Sequence, residues 1–234
     1  MLITKDFVFI HLPKTGGDFI RTLCKQNLPE GTIIPVDLAK HAADELIPAD
    51  YVDLPRFGLI RNPWSWYVSW YHYHLGSGRT EEHIARVRNP VWTHVTKDGT
   101  DFDFERIVTK LVTGDVPNPK AAERIRSRDI DLLTDRYLGT FHDGLTHDRI
   151  TIGKTEMMRI DFPQFLSDNG IEVPASLLEA FEVRKKLNVT KHAPYQEHYS
   201  PELRELVGHK ARLIIERYGY GFEQMPESEN AAAG

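Results

Sequence analysis

The segment His11-Leu12-Pro13-Lys14-Thr15-Gly16-Gly17-Asp18 has the composition of an anion-binding turn. It lies between a short apolar run, Phe7 to Ile10, and a stretch whose apolar residues Phe19, Ile20, Leu23, Cys24 and Leu28 recur at helical spacing. The free amides of a helix start, with the positive end of the helix dipole, attract phosphate. Glycines let the backbone approach such a ligand, and a lysine adds a point charge. A nucleoside triphosphatase P-loop is excluded, because its G-x-x-x-x-G-K-[ST] pattern needs glycine where this chain has Val8 and Pro13.

A second constellation is Phe57-Gly58-Leu59-Ile60-Arg61-Asn62-Pro63, followed by Trp64-Ser65-Trp66-Tyr67-Val68-Ser69. Arg61 leaves the carboxyl end of an apolar strand, and Ser69 falls two turns into the helix that Pro63 opens. An arginine fork and a serine hydroxyl suit one phosphate. Two phosphate sites on successive strand ends match a nucleotide phosphorylated at both its 3′ and 5′ positions, whereas ATP has nothing for the second. Ligands of open α/β sheets also bind beyond the carboxyl ends of the strands.

The elements that must hold these residues alternate. The pattern predicts strands at Phe7–Ile10, Thr32–Val36, Phe57–Ile60 and Arg149–Gly153. Helices are predicted after Gly17, from about Leu38, from Pro63, over Phe102–Val112 and Lys120–Tyr137, near Phe162–Asn169 and over Ser176–Leu187. A last helix runs from an N-cap at Ser200, with Pro201 behind it, to Tyr218. Residues 76 to 101 read as a long loop, the kind that covers active sites. Such alternation implies an α/β fold, three layers with a central parallel sheet flanked by helices.

The motifs together resemble those of the PAPS-dependent sulfotransferases, in particular the Golgi carbohydrate enzymes and their bacterial relatives. The 5′-phosphosulfate loop of that family is commonly P-K-T-G-G-T, and this chain matches P-K-T-G-G from Pro13 to Gly17. The strand-end R-N-P with a serine eight residues beyond the arginine resembles the family's 3′-phosphate site. The stretch Asn188-Val189-Thr190-Lys191-His192-Ala193-Pro194-Tyr195 is similar to a C-terminal loop that closes over the nucleotide.

The resemblance covers residues 7 to 75 and 150 to 222. It implies the P-loop-like sulfotransferase fold and transfer of a sulfuryl group from 3′-phosphoadenosine 5′-phosphosulfate (PAPS) to a hydroxyl of a saccharide or small metabolite, with no metal. The unmatched middle of the chain would then set acceptor specificity. Carried over residue by residue, it assigns cofactor binding to Pro13, Lys14, Thr15, Gly16, Gly17, Asp18, Phe19, Arg61, Ser69, Thr190 and Lys191.

Sulfation of a hydroxyl needs a base. His41, in Lys40-His41-Ala42 after the second strand, resembles the histidine segment of several carbohydrate sulfotransferases and takes that role here. Lys14 would stabilise charge on the oxygen of the departing phosphate, a role suited to a permanent positive charge. Asp18 departs from the family's hydroxyl residue, and its carboxylate would repel a phosphate unless it turned away to serve the helix start. Two rival readings share these residues: a non-catalytic nucleotide-binding relative, to which Asp18 points, and an ATP-dependent kinase, against which the missing Walker glycines count.

Composition narrows the classes further. The 234 residues suit one domain over 1–224 with a polar tail at 225–234. A net charge of −5 argues against a nucleic-acid surface while leaving room for a local positive pocket. One cysteine, Cys24, precludes an intrachain disulfide and points to the cytoplasm. The apolar run near the start is too short for a membrane span.

Other signals are set aside. His72 and His74 are two residues apart, which on a helix directs them to different faces, so no metal site is read from them. The aromatic-rich helix around Trp66 is read mainly as core, the Asn188 sequon as coincidence, and Glu156 as a structural hydrogen-bonding group.

Overall fold

A computed structural model describes residues 1–76, 90–96, 102–141, 150–183 and 192–223. In chain order the strands are β1 (Leu2–Thr4), β2 (Val8–Ile10), β3 (Ile33–Ile34), β4 (Arg56–Ile60) and β5 (Ile150–Lys154). The helices are α1 (Gly17–Asn27), α2 (Pro63–Leu75), α3 (Pro90–Val95), α4 (Phe104–Thr113), α5 (Pro119–Ser127), α6 (Leu132–Thr140), α7 (Met158–Asp168), α8 (Ala175–Val183), α9 (Pro201–Lys210) and α10 (Arg212–Tyr218). The described residues fall into two compact units, one drawn from Met1–Arg61 and Tyr137–Val189, the other from Asn62–Arg136 and Thr190–Met225.

The first unit holds the sheet, in the order β3-β1-β2-β4-β5. The pairs β2–β4 and β4–β5 are parallel, as the alternation predicts. The far edge is not: β1 pairs antiparallel with both β2 and β3. The cause is local, since β1 and β2 are joined by a tight turn in which Thr4 Oγ1 accepts from the amides of Asp6 (3.2 Å) and Phe7 (2.9 Å). So short a connection can only make a hairpin.

One face of the sheet is closed by aromatic packing. Phe7 and Phe57 each meet Phe162 and Phe165 of α7, with ring centroids 5.0 to 6.1 Å apart, and Phe19 of α1 meets Phe181 of α8 edge-on at 5.5 Å. All six rings are buried, each removing a large apolar area from water, and truncating one to alanine typically costs about 3–5 kcal/mol. On the other face Phe141 lies where a side chain at Gly58 would stand, 2.4 Å from its Cβ position, so β4 needs glycine there. Cys24 is buried in the same core, and burial pushes its thiol up to about 12.

The predicted helix from Leu38 does not form; in its place are two single 3₁₀ turns at Asp44–Leu46 and Ala49–Tyr51. Pro48 lacks an amide proton and interrupts any helix through this run. The predicted strand at Thr32–Val36 shrinks to two residues.

The second unit is helical. α2 starts as predicted, with Pro63 at its first position and Asn62 Oδ1 accepting from the Ser65 amide at 3.3 Å. Trp66, Tyr67 and Trp70 of α2 are buried, as is Trp92 of α3, whose ring stacks with His74 at 5.5 Å. α3 falls within the stretch read as a loop; residues 77–89 and 97–101 of that stretch lie outside the described residues.

The single helix predicted over Lys120–Tyr137 is broken between α5 and α6. Asp129 there has a left-handed φ of 54°, and Asp131 Oδ1 accepts from the Thr134 amide at 2.8 Å, starting a new helix as a cap does. Buried Asp131 also accepts from the Tyr67 hydroxyl at 2.9 Å. The last helix is likewise split at Ala211, but its start holds, with Ser200 Oγ accepting from the Leu203 amide at 3.2 Å. The C-terminal tail lies outside the described residues.

Candidate active site

The site is assembled within the first unit, at the carboxyl ends of β2, β4 and β5. The loop from His11 to Gly16 joins β2 to α1 and contains two left-handed residues, Lys14 (φ 66°) and Gly16 (φ 78°). Glycine adopts that region freely, whereas a lysine there is strained by about 1–2 kcal/mol, so the surrounding structure must hold it. Thr15 supplies part of the restraint: its buried hydroxyl donates to Leu12 O at 2.7 Å.

Thr155, just past β5, supplies the rest. Its hydroxyl lies 2.9 Å from both Thr15 O and Ile60 O, its one proton shared between the two carbonyls, and its amide donates to Ile60 O at 2.7 Å. One threonine therefore ties the loop after β2 to the end of β4. Sequence reasoning missed Thr155; a hydroxyl residue two positions past the strand predicted to end at Gly153 was the available signal.

Gly17 opens α1 beneath the His11 ring. A Cβ at Gly17 would stand 2.2 Å from His11 Cδ2, which no side chain tolerates, so glycine here serves close packing and not turn geometry. His11 itself is 3% exposed and its Nδ1 has no hydrogen-bond partner. Burial first, and then the neighbouring His41, hold its pKa down to about 2. It is a neutral packing group.

His41 docks on the same loop through His11. Its Nδ1 lies 2.9 Å from His11 O, and the two rings are 4.6 Å apart. A carbonyl can only accept, so the proton of the neutral imidazole resides on Nδ1 and the lone pair is left on Nε2. The ring lies against His11 while the residue as a whole is exposed; this partial desolvation sets the pKa below the usual histidine value. At neutral pH His41 is a base with its basic nitrogen unspent.

Arg61 follows β4, and its guanidinium donates to Lys14 O at 3.4 Å. Burial, followed by the Arg61 charge, lowers the Lys14 pKa to about 8, against the opposing pull of Asp18. Lys14 is therefore still mostly charged at neutral pH but titrates just above it, and a bound anion would raise its pKa. Asp18 is paired with Lys40, whose Nζ meets its Oδ1 at 2.5 Å, both side chains being 41% exposed, and no side-chain hydrogen bond caps the start of α1.

Not every residue assigned from the sequence is free for a ligand. The Phe19 ring is buried in the core and its amide donates to Gly16 O at 2.9 Å. The Thr15 hydroxyl is spent on Leu12. Ser69 belongs to the second unit, where it is buried on α2. Thr190 and Lys191 lie outside the described residues. Glu156 is half-buried beyond β5; the carboxyl of nearby Asp161 is raised by burial and, further, by Glu156.

A mouse sulfotransferase, SULT7A1, crystallised in complex with PAP, aligns with a TM-score of 0.51 over 92% of this chain and 88% of its own length. The fold is that of a sulfotransferase. At 14% sequence identity the likeness establishes architecture and no more. No family model matches the chain, and no curated protein matches it by sequence. Within this sulfotransferase fold no described helix is long and apolar enough to cross a membrane, and no group of three or more histidine, cysteine or acidic residues among the described residues is arranged to hold a metal ion.

Proposed function

We propose that this protein is a sulfotransferase that uses PAPS to sulfate a hydroxyl of a saccharide or small metabolite. The observation that carries the reading is the strained loop of Lys14, with the Arg61 guanidinium on its carbonyl and the lone pair of His41 beside it. Two cations and the first-turn amides of α1, in one unit with a neutral base, suit an anionic leaving group and a hydroxyl nucleophile. The mouse enzyme of the same fold, crystallised with PAP, supports the choice of nucleotide.

In this proposal PAPS supplies the activated sulfuryl group when bound. The amides from Thr15 to Asp18 and the Lys14 ammonium hold the 5′ end, and the Arg61 guanidinium takes the 3′-phosphate. Pro13 and Phe19 shape the loop. His41 Nε2 accepts the proton of the acceptor hydroxyl, and its Nδ1–H bond to His11 O stabilises the imidazolium that results. Lys14 offsets negative charge as it gathers on the phosphate oxygen. Cys24, buried and alone in the sequence, fits a reducing compartment, and we assign the protein to the cytoplasm.

Calorimetric titration with adenosine 3′,5′-bisphosphate, set against ADP with Mg²⁺, tests the nucleotide. Transfer of labelled sulfate to a panel of sugars and small alcohols tests the reaction. Tighter binding of ADP would sink the proposal. Asp18 favours a second reading, a relative that binds the nucleotide without turning it over; nucleotide binding with no transfer to any acceptor would select it.

A further inference from the structure

The carboxylate of Asp18 opposes an anion at the start of α1, and its pairing with Lys40 explains how the site tolerates it. Asp18 lies in the first turn of α1, two residues after left-handed Gly16. Lys40 Nζ reaches its Oδ1 at 2.5 Å across a separation of 22 residues in the chain. The segment that carries Lys40 is fixed on its own account: the Ala42 amide donates to Ala39 O at 2.9 Å, closing a turn, and His41 is docked on His11 O. Lys40 is thus delivered to Asp18 by the same turn that delivers His41 to the loop.

We infer that Lys40 is a positioning residue that draws the Asp18 carboxylate away and cancels its charge, so that the Lys14 loop presents positive charge to a phosphate. The inference rests on the proposed function, because it concerns how that same site accepts its nucleotide. The fields of the two residues support it. Asp18 raises the pKa of both Lys14 and His41, and Lys40 lowers both, so the pair acts on each group with opposite signs. Without Lys40 the carboxylate would be uncompensated at a helix start that must receive a dianion. Its stabilising effect at that helix start would persist, but its repulsion of the ligand would be unopposed.

The ion pair is exposed, so its loss changes stability little. Ligand affinity is the sensitive quantity. Titration of adenosine 3′,5′-bisphosphate into wild type, Lys40→Ala, Asp18→Asn and the double variant separates the possibilities, with the unfolding temperature as control. We expect Lys40→Ala to weaken the nucleotide about fivefold to tenfold at low salt, and less at high salt where the carboxylate is screened. Adding Asp18→Asn to Lys40→Ala should return affinity to within about twofold of wild type. A double variant as weak as Lys40→Ala would mean that Lys40 touches the ligand directly or serves only structure, and would overturn the inference. So would an unchanged affinity in Lys40→Ala. A wild-type protein that ignores the nucleotide would refute the functional reading itself, and the inference with it, a result distinct from either.

Discussion

Among the described residues histidines meet in both units, His11 with His41 in the first and His72 with His192 and His198 in the second, and the contacting atoms differ. In the first unit His41 meets His11 at its backbone carbonyl, so the contact fixes a proton on Nδ1 and leaves Nε2 available. In the second unit His72 and His198 meet nitrogen to nitrogen, with their Nε2 atoms 3.0 Å apart, while His198 Nδ1 donates to Pro194 O at 3.2 Å. With its Nδ1 proton committed to that carbonyl, neutral His198 must accept at Nε2, and His72 must donate there. The contact therefore consumes the basic nitrogen of His198 and leaves that of His72 on Nδ1. Proximity of imidazoles therefore says little about catalysis; which atom makes the contact decides whether a lone pair survives.

The widest test of this contrast is His41→Ala. Loss of a general base should lower sulfate transfer by about 10²- to 10⁴-fold while the affinity for adenosine 3′,5′-bisphosphate stays near wild type. Turnover within a factor of two of wild type would place the two histidine pairs in the same structural class. Arg61→Ala asks whether the first unit is tuned to a doubly phosphorylated ligand. We expect roughly tenfold to hundredfold weaker binding of the 3′,5′-bisphosphate and little change for a 5′-monophosphate, the charge-assisted bonds to one phosphate being lost. Equal losses for both nucleotides would remove Arg61 from the 3′ site.

Gly17→Ala probes the packing that supports His41. The new methyl group would collide with the His11 ring, and overpacking of this kind costs about 1–3 kcal/mol, readable as a lower midpoint in urea. An unchanged midpoint would show that the ring moves aside freely. The smallest effect is expected in the second unit. His72 is held down to about 4, by partial burial first and then by His192 and His198. The unfolded chain, with histidine near 6.5, then binds more protons than the folded one. Stability should fall as pH drops from about 6.5 to 4 and stop falling on this account below 4, and His72→Ala should reduce that slope. A slope unaltered by the substitution would assign the acid loss elsewhere, with buried His11 the first candidate because its own pKa lies near 2.

The parts legible in the sequence were those written in contiguous residues. The strand, turn and helix from Phe7 to Asn27 could be read from apolar periodicity and paired glycines, and so could the Pro63 and Ser200 helix starts. What escaped depended on partners far along the chain or on proline. β1 is three residues long and gains its identity from the hairpin it closes. The run after Leu38 has helical composition, but Pro48 divides it and Asp44 is drawn into a bidentate bond with Arg56 at 2.8 and 2.9 Å. In the site, the residue types at Lys14, His41 and Arg61 were visible, whereas the tautomer of His41 depends on a carbonyl 30 residues earlier. Thr155 joins its loop across 140 residues and shows no motif of its own.

The burial of Cys24 has a practical corollary. Its sulfur is covered and stays protonated through the neutral range, and the sequence has no other. A cysteine introduced on the surface would then be the sole thiolate a maleimide dye could reach, so fluorescent reporters can be placed at chosen positions in the native protein without first deleting a thiol.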